Sequence, residues 1–108
     1  MRKAKVYFQE FPAGILVELD DGYEFKYDPL YLESDNPAPI SLTFPLSEKT
    51  YTGKTLFPFF DGLIPEGWLL AIAEQNWKLN PRDRMGLLLA CCRDCIGAVS
   101  IRVMEENS

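Results

Sequence analysis

The stretch from Phe57 to Leu70, FPFFDGLIPEGWLL, constrains the fold more than any other part of the chain. Pro58 sits among three phenylalanines, and Asp61-Gly62 and Pro65-Glu66-Gly67 then interrupt the chain twice before an apolar-periodic run begins at Trp68. The pattern predicts a short helical turn followed by a helix N-terminus. Proline in a first helical turn costs little, because its missing N–H has no partner there, and Glu66 beside it suits the positive end of the helix dipole. Trp68, in that first turn, either faces the core or stands out as a rigid aromatic anchor; both readings are open.

The residues that follow continue at helical spacing. Trp68, Leu69, Ile72, Ala73 and Trp77 place one apolar face through about Trp77. Asn80 is a cap candidate, Pro81 a first helical residue and Asp83 a first-turn charge, which predicts a second helix from about Pro81 to Cys92. Met85, Leu88, Leu89 and Cys92 fall on its inward side, and Gly86 thins it where another element can approach.

Upstream, Lys5 to Gln9 alternates weakly, Ile15 to Leu19 is apolar apart from Glu18, and Tyr23 to Tyr27 alternates with Tyr23, Phe25 and Tyr27 on one face. This predicts a three-stranded meander turning at Pro12-Ala13-Gly14 and again at Asp21-Gly22, a pair suited to positive φ. Asp28 to Pro39 reads as a loop with one helical turn at Leu30 to Glu33. Ile40 to Phe44 reads as a short strand stopped by Pro45, and Ser47 to Lys54 as polar turn. Ile96 to Val103 alternates and predicts a last strand, with Val99, Ile101 and Val103 on one face; Glu105 to Ser108 reads as a frayed tail.

The sum is one α+β domain over residues 1–108. It has a small, mostly antiparallel sheet, formed by the amino-terminal meander and a returning carboxy-terminal strand, covered by two helices. Phe59, Phe60, Leu63, Leu88 and Val99 are its expected core. The length suits one domain, and a hydrophobic content of 47% supports a single core.

Eleven basic against sixteen acidic residues give a net charge of −5, which repels nucleic-acid phosphates and anionic membranes unless the few basic residues cluster. Direct binding to nucleic acid or membrane is therefore not expected. No apolar signal core follows the basic start, and no run approaches the roughly 18 to 20 apolar residues of a membrane span. Three cysteines confined to Cys91, Cys92 and Cys95 fit a reducing compartment, so a cytoplasmic location is expected.

The search for chemistry is mostly negative. Histidine is absent, which removes the commonest general base and metal ligand. The three cysteines lack a fourth partner for a structural metal, and a redox pair would open a helix after a strand rather than close one, so they read as small residues at a helix end. Gly53-Lys54-Thr55 resembles the end of a phosphate loop, but Glu48 stands where its first glycine belongs. Asp61 and Glu66 flank Leu63-Ile64-Pro65, with Asp61 read as a turn cap. Arg93-Asp94 ahead of Gly97 reads as a helix-to-strand corner. No enzyme, cofactor or metal is expected.

Three blocks together resemble one known family. PISLTFPL (Pro39–Leu46), FPFFDGLIPEG (Phe57–Gly67) and RDCIGAVS (Arg93–Ser100) are similar, in order and spacing, to the PISLSLPL, F-FFDNLLPEG and GRDCVGAV segments of HipA-type serine/threonine kinases. All three belong to the amino-terminal subdomain of those kinases. The kinase core, with its ATP site and catalytic aspartate, has no counterpart in these 108 residues, so the chain is not expected to be the kinase. A free-standing version of the subdomain resembles the HipS family of small subunits in tripartite HipB–HipS–HipT toxin–antitoxin systems.

That resemblance implies two partners: a shortened kinase toxin, HipT, which the subunit binds and neutralises, and a helix-turn-helix DNA-binding protein, HipB, in the same assembly. The turn from Gly62 to Gly67 reads as a rigid protrusion, which loses little entropy on binding. Leu63, Ile64, Pro65, Glu66 and Trp68 are accordingly the candidate contacts near the kinase nucleotide site. Two other readings stand beside it: a structural subunit that completes the kinase fold or bridges it to HipB, and an amino-terminal fragment of an ordinary HipA.

Overall fold

A computed structural model describes residues 2–64, 82–91 and 98–104. Alternating side chains at the amino terminus form three strands, β1 (Lys3–Phe8), β2 (Phe11–Leu19) and β3 (Gly22–Tyr27). A short β4 (Tyr51–Gly53) and a final β5 (Val99–Val103) complete the sheet. Its order is β4-β3-β2-β1-β5, antiparallel throughout. The expected α+β architecture is present, and the last strand returns beside the first, running from Phe8↔Val99 to Ala4↔Val103.

Two turns lie elsewhere than the sequence suggested. The first is made by Gln9 and Glu10, at φ 49° and 74°, and not by Pro12-Ala13-Gly14, which lie inside β2. Pro12 is tolerated because the register shifts there: Val6 faces Gly14 and Tyr7 faces Pro12, leaving Ala13 as the extra residue of a bulge. Gly14 is required by proximity, since a Cβ on it would sit 2.5 Å from the Lys26 carbonyl oxygen and 2.7 Å from the Phe25 ring.

The second turn is Asp20-Asp21, with Gly22 already paired to Leu19. Neither aspartate has positive φ, so the expected Asp-Gly turn does not form. The glycine serves close approach instead: a Cβ on Gly22 would fall 2.4 Å from the Gly53 carbonyl oxygen of the neighbouring β4.

The strand expected over Ile40 to Phe44 is absent. A strand would carry Ile40, Leu42 and Phe44 on one face, but Ile40 and Phe44 are buried while Leu42 is 96% exposed. The chain turns tightly there: the Phe44 N–H donates to the Ser41 carbonyl at 3.1 Å, and the Thr43 N–H to the Ser41 hydroxyl at 3.2 Å. The edge strand comes from Tyr51–Gly53, within the segment read as polar turn.

Helical segments are short among the described residues. α1 (Pro29–Leu32) starts with Asp28 accepting from the Leu30 N–H, close to the predicted helical turn. α2 (Pro58–Asp61) is the helical turn expected of the aromatic stretch. α3 (Arg84–Cys91) is capped by Asp83, which accepts from the Gly86 N–H at 3.0 Å; the expected cap Asn80 and first residue Pro81 lie outside the described residues. The helix predicted from Trp68 to Trp77, Cys92 and the start of the Ile96–Val103 strand lie outside the described residues.

The inner sheet face supplies Ala4, Val6, Leu16, Phe25, Tyr27, Val99 and Ile101 to one core, which Phe44, Leu56, Phe60, Met85, Leu87 and Leu88 complete. Of the expected core residues, Phe60, Leu88 and Val99 are buried, and Phe59 and Leu63 pack partly buried against them. Leu88→Ala is therefore expected to cost about 2 to 5 kcal/mol through lost transfer energy and a residual cavity. Leu42→Ala, at an exposed site, should change stability by no more than about 0.5 kcal/mol. Urea midpoints of the two variants check both values.

Candidate partner-binding site

The aromatic stretch folds as a tightly wound ramp. Pro58 opens α2, where its missing N–H costs nothing, and Phe57 precedes it in extended geometry. Phe60 turns fully inward, with Phe57 and Phe59 packed around it. Ring centroids lie 6.2 Å apart for Phe57–Phe60 and 5.2 Å for Phe59–Phe60. The winding continues past the helix: the Leu63 N–H donates to Phe60 and the Ile64 N–H to Asp61, at 3.0 and 3.2 Å.

Asp61 is no turn cap of the kind its sequence suggests: its carboxylate accepts from Arg84 Nε at 2.6 Å and so ties α2 to the start of α3. Of the five sequence-designated contact residues, Ile64 is buried and Leu63 half-buried against the core. Pro65, Glu66 and Trp68 lie outside the described residues. The ramp thus anchors the base of the candidate protrusion.

A second electrostatic tie was not anticipated. Arg2 donates two bonds of 2.7 Å to Glu18, and bonds of 3.0 and 2.7 Å to Asp83. One guanidinium fork thereby joins the chain start, β2 and the cap of α3. Gly86 makes room for it, since a Cβ there would press to 2.4 Å from the Asp83 carboxylate and 3.2 Å from Arg2. The predicted thinning of the helix at Gly86 therefore admits a side chain. Hydrogen bonding from Arg2 holds the Asp83 carboxyl below its ordinary value, with burial opposing. The same two carboxylates raise the Arg2 guanidinium. The only signal in the sequence was an arginine two residues before a buried strand position, which is weak.

Among the described residues no cluster of histidine, cysteine, aspartate or glutamate could hold a metal ion. Cys91 closes α3 half-buried. No described helix is long and apolar enough to cross a membrane.

The architecture and the ramp agree with comparison to known proteins. The model of the HipA N-terminal domain matches residues 4–102. The chain belongs to the HipA N-terminal-domain family. A solved structure described as the N-terminal domain of HipA toxin superposes with a TM-score of 0.76 at 29% identity, covering 99% of this chain and 96% of that one. An uncharacterized protein of Haemophilus influenzae is 33% identical over 106 residues, 98% of this chain and 96% of its own length. Putative kinase Y4mE of Sinorhizobium fredii is 27% identical over 83 residues, which are 77% of this chain but 20% of that protein. Fold and family agree with the resemblance drawn from the three sequence blocks: the chain is HipS-like and has the HipA N-terminal-domain fold.

The Arg2 clamp gives a pH prediction for this member of the family. A carboxyl whose folded value is depressed stabilises fully above its unfolded value, about 4, and loses that contribution as pH falls through the lower folded value. The parent protein should therefore lose the clamp in acid below about pH 4. Arg2→Ala should be less stable at pH 7 by roughly 1 to 2 kcal/mol, allowing for partial exposure, and should lose less on acidification. Urea denaturation at pH 7 and pH 3 compares the two.

Proposed function

We propose that this protein is an antitoxin that binds a HipT-like serine/threonine kinase toxin and neutralises it by direct contact near the active site, in an assembly that also holds a HipB-like helix-turn-helix DNA-binding protein. The observation that carries the reading is the pair of relatives. The same module makes up 20% of a putative kinase, yet it aligns with 96% of the Haemophilus influenzae protein. On this reading the module packs against the kinase core in the longer chain, and a separate copy keeps that docking surface.

Of Leu63, Ile64, Pro65, Glu66 and Trp68, the contact is assigned to Pro65, Glu66 and Trp68, because Ile64 is buried and Leu63 half-buried against the core. On this reading the buried Ile64 and half-buried Leu63 fix the base of the turn, and Pro65, Glu66 and Trp68 reach the kinase, Trp68 blocking closure of its phosphate-covering loop. A net charge of −5 suits encounter with a basic nucleotide cleft. The protein acts in the cytoplasm without metal, cofactor or enzymatic activity of its own. Purified alone, it should incorporate no phosphate from labelled ATP and show no saturable ATP binding, because the sequence lacks a glycine-rich phosphate loop and a metal-binding acid set.

Because the module is also part of a kinase chain, a non-inhibitory subunit that completes the kinase fold, or bridges it to the repressor, is the alternative. Co-expression with the kinase decides between them: the antitoxin relieves growth arrest and the structural subunit does not. Trp68→Ala then tests the contact. The variant should melt within a few degrees of the parent and fail to rescue growth. Full rescue by a stable variant would move inhibition to another surface, and a loss of several kcal/mol would place Trp68 in the core.

A further inference from the structure

The outer face of the sheet gathers cations that the whole-chain charge conceals. Strand alternation turns Ala4, Val6, Leu16, Phe25 and Ile101 inward, so Lys3, Lys5, Tyr7, Ile15, Val17, Glu24, Lys26, Ser100 and Arg102 face the other way. The pairing register then ranks four of them side by side: Lys26↔Ile15, Ile15↔Lys5 and Lys5↔Arg102. Lys5, Lys26 and Arg102 are exposed. Adjacent strands lie about 4.8 Å apart, so the rank crosses roughly 14 Å of open sheet.

Like charges directly opposite one another destabilise a sheet, and Lys5↔Arg102 is such a pair. Among the described residues the Arg102 guanidinium lies over the Tyr7 ring, but no carboxylate is paired with either cation. Arg2 and Arg84 form ion pairs among the described residues, and Lys3, Lys5 and Lys26 take no part in them. On this face the strands carry one carboxylate, Glu24, in the next rank beside Val17. A fold of net charge −5 had many carboxylates available for this position.

We propose that this outer face is a docking surface for an acidic segment of a partner polypeptide, with carboxylates set over the Lys26–Lys5–Arg102 rank and aliphatic side chains over Ile15 and Val17. The proposal does not depend on neutralisation of a kinase. A protein segment is favoured over nucleic acid by two features. The aromatic ring of this face, Tyr7, is already covered by the Arg102 guanidinium at 5.3 Å, which leaves no free platform for base stacking. The remainder of the protein is strongly acidic and repels a long polyanion, or an anionic membrane, more than a short mixed segment.

The test uses the full chain, labelled with nitrogen-15, at low salt, titrated with acetylated hexaglutamate and separately with hexathymidylate. Hexaglutamate should shift the amides of Lys5, Ile15, Lys26 and Arg102 most, and Lys5→Glu should weaken its binding at least about tenfold. Lys5→Glu should also melt above the parent, because the repulsive pair becomes attractive, and this confirms that the variant folds. Shifts on another surface, no shifts, or a Lys5→Glu protein that melts lower would overturn the proposal. Tighter binding of hexathymidylate to the same rank would overturn it in favour of a nucleic-acid face.

Discussion

Phe44 holds a position on which the rest of the fold depends. Its ring lies 5.2 Å from those of Phe25, Tyr51 and Phe57, and 5.6 Å from that of Phe60, so one side chain joins β3, β4 and α2. The Tyr27 hydroxyl donates to the Phe44 carbonyl and accepts from the Ile40 N–H at 3.1 Å. Two main-chain groups of a buried loop thus find partners that a strand ladder would otherwise supply. Tyr31 repeats the device one step along, exchanging bonds of 2.6 and 3.2 Å with Ala38 and stacking on Tyr27 at 6.2 Å. An irregular connection can run through the core here because two tyrosines satisfy it.

This arrangement explains which parts of the fold were legible in the sequence. The meander, the final strand and the helical turn at Pro58 follow local rules of alternation and breaker placement, and they are present. Ile40 to Phe44 alternates as a strand does, but burying Phe44 among the surrounding rings demands a turn. That demand comes from residues up to nineteen positions away, and no local pattern contains it. The glycines misled for a related reason. Gly14 and Gly22 looked like turn residues, yet each is fixed by the close approach of a neighbouring strand or ring, a contact visible only once the sheet is assembled. Left-handed Gln9 and Glu10 show the converse: a turn held by the pairing on either side without the residues that usually mark it.

The candidate site divides along the same line. Its base was readable because proline, aspartate and glycine wind the chain locally, whereas the tie that fixes it, Asp61 to Arg84, spans 23 positions. The sequence blocks that mark the family follow suit. Pro39–Leu46 contributes Ile40 and Phe44 to the core, and Phe57–Ile64 contributes Phe60 and Ile64. Over these two segments the shared pattern is a packing pattern. It identifies the fold reliably and bears on partner binding only through what the packed ramp presents.

Charge is divided between the two sides of the sheet according to side-chain chemistry. On the core side, Arg2 engages two carboxylates with four hydrogen bonds and Arg84 engages a third. A lysine ammonium, a point charge without a planar fork, could not bridge Glu18 and Asp83 in the same way. The outer face carries mainly lysines, on long stems that leave their charge in water. The inner cations are therefore committed to holding α2 and α3 in place, whereas on the outer rank Lys5 and Lys26 make none of these ties and Arg102 lies over the Tyr7 ring. Substitution of Lys5 or Lys26 should consequently leave the packing unchanged, whereas substitution of Arg2 or Arg84 loosens the ties that hold α2 and α3.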